Sequence, residues 1–124
     1  MDFNAHKPIY LQICDQICDR ILNGELKPED RIRSVRELGA ALGVNPNTIM
    51  RSYEQLQNDG IIYNKRGIGY FIAENAEETV METKRKQFID ESIPELAKKM
   101  QLLRISDKAL LELLEQHHAR QSKE

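Results

Sequence analysis

Asn45, Asn47, Thr48 and Arg51 fall within one short stretch, "GVNPNTIMRSYEQLQNDG" (residues 43–60), around an apolar stripe of Ile49, Tyr53 and Leu56. That spacing describes a helix whose first turn is polar and whose Asn47, Thr48 and Arg51 lie off the inward face. Amide side chains so placed pair with an adenine edge, and a threonine bonds a phosphate or touches a thymine methyl. The unpaired N–H groups of a first turn also suit a phosphate oxygen. A plain helix start explains Asn45 as the cap and Pro46 at N1. It does not require Asn47 and Thr48. Taken alone, the stretch fits a simple cap as well as a surface for reading bases.

Two basic clusters flank it. Arg31, Arg33 and Arg36 crowd the start of the preceding helix, and Lys65 and Arg66 stand beside Gly67 and Gly69. The glycines let backbone approach whatever that tip meets, as in minor-groove contacts. Residues 1–73 carry nine Lys+Arg and nine Asp+Glu, and the whole chain has a net charge of −2. Binding to nucleic acid must therefore come from placement of charge, since the chain is no polycation. With the two clusters, the DNA reading becomes the stronger one.

Other chemistry is weakly supported. Cys14 and Cys18 are the only cysteines, with His6 the only histidine nearby; they read as small residues on a buried helix face. His117 and His118 are consecutive and diverge by about 100° on a helix, too far to share a metal. No nucleophile–base pair, metal cluster or phosphate loop is visible, so neither an enzyme nor a metal or other cofactor is expected.

The elements that must position these residues follow from periodicity. "PIYLQICDQICDRILNG" repeats isoleucine at 9, 13, 17 and 21, a helix begun by Pro8 and ended by Gly24. "ELKPEDRIR" reads as a connector with a turn. In "SVRELGAALG", Ser34 and Glu37 form a capping box, Val35, Leu38 and Leu42 the buried stripe, and Gly43 the stop. Gly39 inside that helix costs roughly 1 kcal/mol against Ala, which a close crossing with another helix explains. The quoted helix ends at Gly60, and "IIYNKRGIGYFIA" gives two strands, 61–63 and 70–73, around a hairpin. The expected fold is mainly α with a small β-hairpin: a winged helix-turn-helix over 1–74.

The 124 residues, 40% hydrophobic and 31% charged, allow one compact domain and an appendage. The appendage, 75–124, reads as helices, with Ser92 capping a restart at Pro94 and Ser106 capping the last one. Two or three helices are too few to bury Leu96, Met100, Leu103, Leu110, Leu111 and Leu114 among themselves, which predicts a dimerisation region. The alternative is a tail folded back on its own DNA-binding domain. The N-terminus has no apolar signal region and no run of 18 apolar residues occurs, so a cytoplasmic protein with no membrane partner is expected.

The segments "PIYLQI", "NGELKP", "SVRELG", "LGVNPNTI", "RSYEQL" and "RGIGYFI" resemble the DNA-binding domain of the GntR family of bacterial transcription factors, from Pro8 to about Ala73. The short tail resembles the YtrA-like subfamily. The resemblance implies a homodimeric repressor of an inverted-repeat double-stranded DNA operator, such small members often controlling neighbouring transporter operons. It carries DNA contacts onto Ser34, Arg36, Asn45, Asn47, Thr48, Arg51, Arg66, Gly67 and Gly69, with Arg36 where the family commonly reads a guanine. Arg33 replaces the family's usual proline, adding a phosphate contact or loosening the turn, and Met50 stands where some members carry arginine. Lys65 joins the set through the basic tip. A rival reading is a winged-helix protein-interaction module without DNA binding. A small-molecule effector of unknown identity would have to bind at the dimer interface or between tail and winged helix.

Overall fold

The computed structural model describes residues 6–122. In order they form α1 (Ile9–Leu22), α2 (Val35–Leu42), α3 (Pro46–Asn58), β1 (Ile62–Lys65), β2 (Gly69–Ile72), α4 (Ala76–Gln87), a π-helical turn (Phe88–Ser92), α5 (Ile93–Leu103) and α6 (Asp107–Ser122). This is the expected winged helix-turn-helix followed by a helical region.

In α1, Ile13, Ile17 and Ile21 are buried with Cys14 and Cys18, whereas Ile9, at the first helical position, is 44% exposed. Burial raises the Cys14 thiol to about 12 and the Cys18 thiol to about 11, so both are neutral core groups rather than nucleophiles or ligands. The core of α3 is Ile49, Tyr53 and Leu56, joined by Ser52. The Ser52 hydroxyl lies within hydrogen-bond distance of the Tyr10 carbonyl (2.7 Å) and the Thr48 carbonyl (3.2 Å), tying α3 to α1 without an unsatisfied buried group.

Helix α2 has the full capping box. Glu37 N–H donates to Ser34 Oγ at 3.1 Å, and Ser34 N–H donates to the Glu37 carboxylate at 3.2 Å. Hydrogen bonds from Ser34 hold the Glu37 carboxyl below its ordinary range. Gly43 closes the helix in the left-handed region at φ 66°. The close approach at Gly39 is made by the turn into α3 as much as by a helix: an added Cβ would stand 2.8 Å from the Val44 carbonyl oxygen.

The hairpin pairs Ile62 with Ile72, Tyr63 with Phe71, Asn64 with Tyr70 and Lys65 with Gly69. Its strands are set toward the tip of the expected hairpin: β1 begins one residue later and runs two further, and β2 begins and ends one residue earlier. The connector before α2 is not a free loop. Glu29 N–H donates to the Ile72 carbonyl (2.8 Å), Ile72 N–H to Asp30 (2.9 Å) and Ile32 N–H to Tyr70 (3.0 Å), and Arg31 bridges Phe71. Residues 29–32 thus add a short third segment to the sheet.

The chain forms two compact units, the first ending at Lys84 and the second beginning at Arg85. The first extends past the hairpin because Ala76 and Val80 are buried in the same core. Lys84 Nζ also reaches Asp15 Oδ1 on α1 at 2.5 Å, and Lys7 pairs with the other carboxylate oxygen. In the second unit, the anticipated capped restart at Ser92 is absent: Ser92 makes no side-chain cap, and the π turn takes its place. Pro94 lacks an N–H and its ring would strike the carbonyl one turn back, a conflict that an inserted residue relieves. Arg104 ends α5 at φ 56°, with Ile105 N–H bonded to the Met100 carbonyl at 2.9 Å, and Ser106 Oγ caps α6 through Ala109 N–H at 3.1 Å. None of the described residues from 85 onward is buried.

Candidate nucleic-acid interface

The start of α3 is built as a cap that still leaves donors outside. Asn45 Oδ1 accepts from Asn47 N–H at 2.9 Å, and Asn45, Asn47 and Met50 are exposed residues. Thr48 is half-buried, and its carbonyl lies beside Ser52 Oγ. Arg51 is exposed and its guanidinium stacks 4.0 Å from the centre of the Tyr10 ring. Stacking restricts the side chain but leaves the in-plane N–H donors usable.

Start of α2 and core of α3 are linked by one hydrogen bond. The buried Tyr53 hydroxyl donates to the Arg33 carbonyl at 2.6 Å, which fixes the residue ahead of the Ser34 cap. Burial pushes the Tyr53 phenol far above its ordinary value, so it stays a donor. Arg33 and Arg36 are exposed on either side of Ser34, whose Oγ is committed to the cap.

The wing is joined to α3 and to the connector before α2. Tyr70 of β2 stacks edge-on against Tyr53 at 4.8 Å, and its hydroxyl lies 3.9 Å from Met50 Sδ. Gly67, at φ 78°, turns the hairpin, with Arg66 and a 57%-exposed Ile68 beside it. Gly69, at φ 146°, is where Arg31 crosses the hairpin: a Cβ there would stand 3.0 Å from Arg31 Nε. Lys65 is the last residue of β1, exposed beside the turn, and its ammonium lies 4.6 Å from the Phe71 ring centre.

Arg33, Ser34, Arg36, Asn45, Asn47, Thr48 and the wing residues are thereby held on mutually contacting elements. Sequence reasoning counted Arg31 in a basic cluster but not among the contact residues; the structure sets its guanidinium against Gly69 of the wing. Among the described residues, Arg31, Arg33, Arg36, Arg51, Lys65 and Arg66 have no carboxylate at ion-pair distance. Six such cations on the approach to α2, on α2 and α3 and on the wing are suited to an external polyanion. Among the described residues no group of three or more His, Cys, Asp or Glu lies together as a metal site would require, and no helix is long and apolar enough to cross a membrane.

The family model described as "Bacterial regulatory proteins, gntR family" matches residues 9–72. The chain is 41% identical over 110 residues to the uncharacterized HTH-type transcriptional regulator YhcF of Bacillus subtilis, covering 89% of each. It is 43% identical over 84 residues to the HTH-type transcriptional repressor YtrA of the same organism, covering 68% of this chain and 65% of that one. A crystal structure of a putative GntR-family regulator from Bacteroides thetaiotaomicron aligns with TM-score 0.74 and 43% identity, over 91% of this chain and 98% of that one.

Proposed function

We propose that this chain, which belongs to the GntR family of bacterial regulatory proteins and is a DNA-binding transcription regulator rather than an enzyme, represses transcription as a homodimer on an inverted-repeat operator. The observation that carries the reading is a set of cations without carboxylate partners, among the described residues, on the approach to α2, on α2 and α3 and on the wing. In it, α3 enters the major groove with Asn45, Asn47 and Thr48 foremost, Arg36 reads a guanine, and Arg33, Ser34 and Arg51 take phosphates. The wing, with Arg66, Gly67 and Gly69, lies along the minor groove, and Lys65 adds charge from the hairpin face. The repressor sign is supported by the name of a relative, the HTH-type transcriptional repressor YtrA; a neighbouring transporter operon is the target that the family resemblance implies.

Leu96, Met100, Leu103, Leu110, Leu111 and Leu114 pack on a second copy in this reading, since the second unit buries none of them. Replacing Asn47 and Thr48 together with Ala tests the recognition role. Stability should stay within about 1 kcal/mol because Asn45 still caps. Operator affinity, read by fluorescence anisotropy, should fall at least about tenfold, or about 1.4 kcal/mol. A variant that bound normally and melted early would reduce the stretch to a helix start.

A further inference from the structure

Within the first unit, between α1, residues 26–33 and α2, lies a cavity of about 350 Å³. Its buried lining includes Ile13, Ile17 and Tyr53, and its exposed lining includes Arg20, Arg31 and Arg33. Arg20 already pairs with Glu25 at 3.0 Å, whereas Arg31 and Arg33 have no carboxylate at ion-pair distance among the described residues. Both act electrostatically on Glu37, whose carboxylate is committed to the Ser34 cap. An apolar wall whose lining also includes two exposed arginines without carboxylate partners is a small-molecule site of definite polarity, since such pockets fix orientation by a few polar groups. The matching occupant has a hydrocarbon or aromatic body for the isoleucines and one anionic head for the arginines.

We infer that this cavity binds a small amphipathic carboxylate by Arg31 and Arg33, and that the bound head group competes with DNA for Arg33. The first half stands on the cavity alone. The second rests on the DNA-contact reading given above. Two facts connect them: the same arginines line the cavity and flank the start of α2, and Tyr53, in the cavity wall, holds the Arg33 carbonyl at 2.6 Å. Neutralising these charges weakens a phosphate contact, and by linkage DNA weakens the ligand by the same factor. No separate effector domain is required.

The test uses the full chain with labelled isoleucine and leucine methyl groups, titrated with sodium octanoate below its micellar range. Sodium formate at equal ionic strength supplies the anion without the hydrocarbon. Expected are saturable shifts at Ile13, Ile17 and Leu38, none of them with formate. Gln16, exposed in the same lining, is outside the proposed DNA contacts, so Gln16→Trp should cover the opening. That change should weaken octanoate at least about tenfold while leaving DNA affinity unaltered. Saturating octanoate should raise the dissociation constant for DNA at least about fivefold in the parent and not in Gln16→Trp. Shifts confined to the leucines of α5 and α6, or rising linearly without saturation, would overturn the site. Saturable cavity shifts with unchanged DNA affinity would overturn the competition. Saturable cavity shifts in a chain that binds no DNA at all would support the site and sink the DNA reading instead.

Discussion

Gly39 and Arg36 stand three residues apart on α2 and respond to alanine for opposite reasons. At Gly39, helix propensity alone would gain about 1 kcal/mol from Ala. The new Cβ would meet the Val44 backbone oxygen at 2.8 Å, an atom that cannot swing aside as a flexible side chain would. The clash should win, with a net loss of roughly 1–3 kcal/mol in thermal unfolding; a variant melting at or above the parent would deny the close approach. Arg36 is exposed and makes no ion pair among the described residues, so its alanine variant should melt as the parent does. Its loss should appear in binding, as roughly 1–3 kcal/mol and a relaxed preference at one position per half-site. Arg66→Ala, at the wing tip, should weaken all sequences evenly and reduce the slope of log affinity against log salt by about one. Unchanged site preference in Arg36→Ala would remove its base-reading role.

Among elements, the contact between α1 and α4 depends on pH with a definite sign. Burial pushes the Asp15 carboxyl up, but hydrogen bonds and charges from Lys7 and Lys84 outweigh it and hold the group below its ordinary 3.8. Its stabilisation is therefore complete above that value and is lost as pH falls through the lower, folded one. Burial likewise lowers Lys84, and Asp15 more than reverses this, so the lysine's share is complete below 10.5 and lost as pH rises through its raised value. Lys84→Met should cost at most about 1 kcal/mol near neutrality, both side chains being partly solvated. Melting temperature followed below pH 4 should fall less steeply in that variant than in the parent; identical acid limbs would mean that the pair contributes nothing.

The helices were legible because Ile13, Ile17 and Ile21, and then Ile49, Tyr53 and Leu56, repeat at helical spacing, and Ser34, Glu37, Gly43 and Asn45 carry the chemistry of ends. Residues 29–32 were not legible as a sheet segment, since Glu, Asp and Arg around a single Ile give no alternating apolar face. The π turn was hidden because Pro94 reads equally as a fresh N1 position. Of the site, Arg36 and the start of α3 could be read from residue type. The stacking of Arg51 on Tyr10 joins α3 to α1, a pairing no local pattern specifies, and Lys65 stacks on Phe71 across the hairpin.

For the whole molecule, the second unit is the part that lacks a reason to exist alone. Leu103, Leu111 and Leu114 are exposed, and burial of such a leucine gives about 1.5–3 kcal/mol, so a few per chain can hold two copies together. Truncation after Lys84 keeps Ala76 and Val80 in the core and should leave a folded monomer with weak, largely non-specific DNA binding. Leu110→Asp with Leu114→Asp should have the same effect in the full chain by placing unpaired carboxylates in the interface; sedimentation reports the mass, and a variant that stayed dimeric would locate the interface elsewhere. Whether a dimer reads DNA through paired α3 helices is decided by selecting bound sites from random duplex DNA with the full chain and with the chain ending at Lys84. The full chain should enrich an inverted repeat with half-sites about one helical turn apart, and the shorter chain should enrich at most a single half-site. Enrichment of the same inverted repeat by both, or of no sequence by the full chain, would contradict such a dimer.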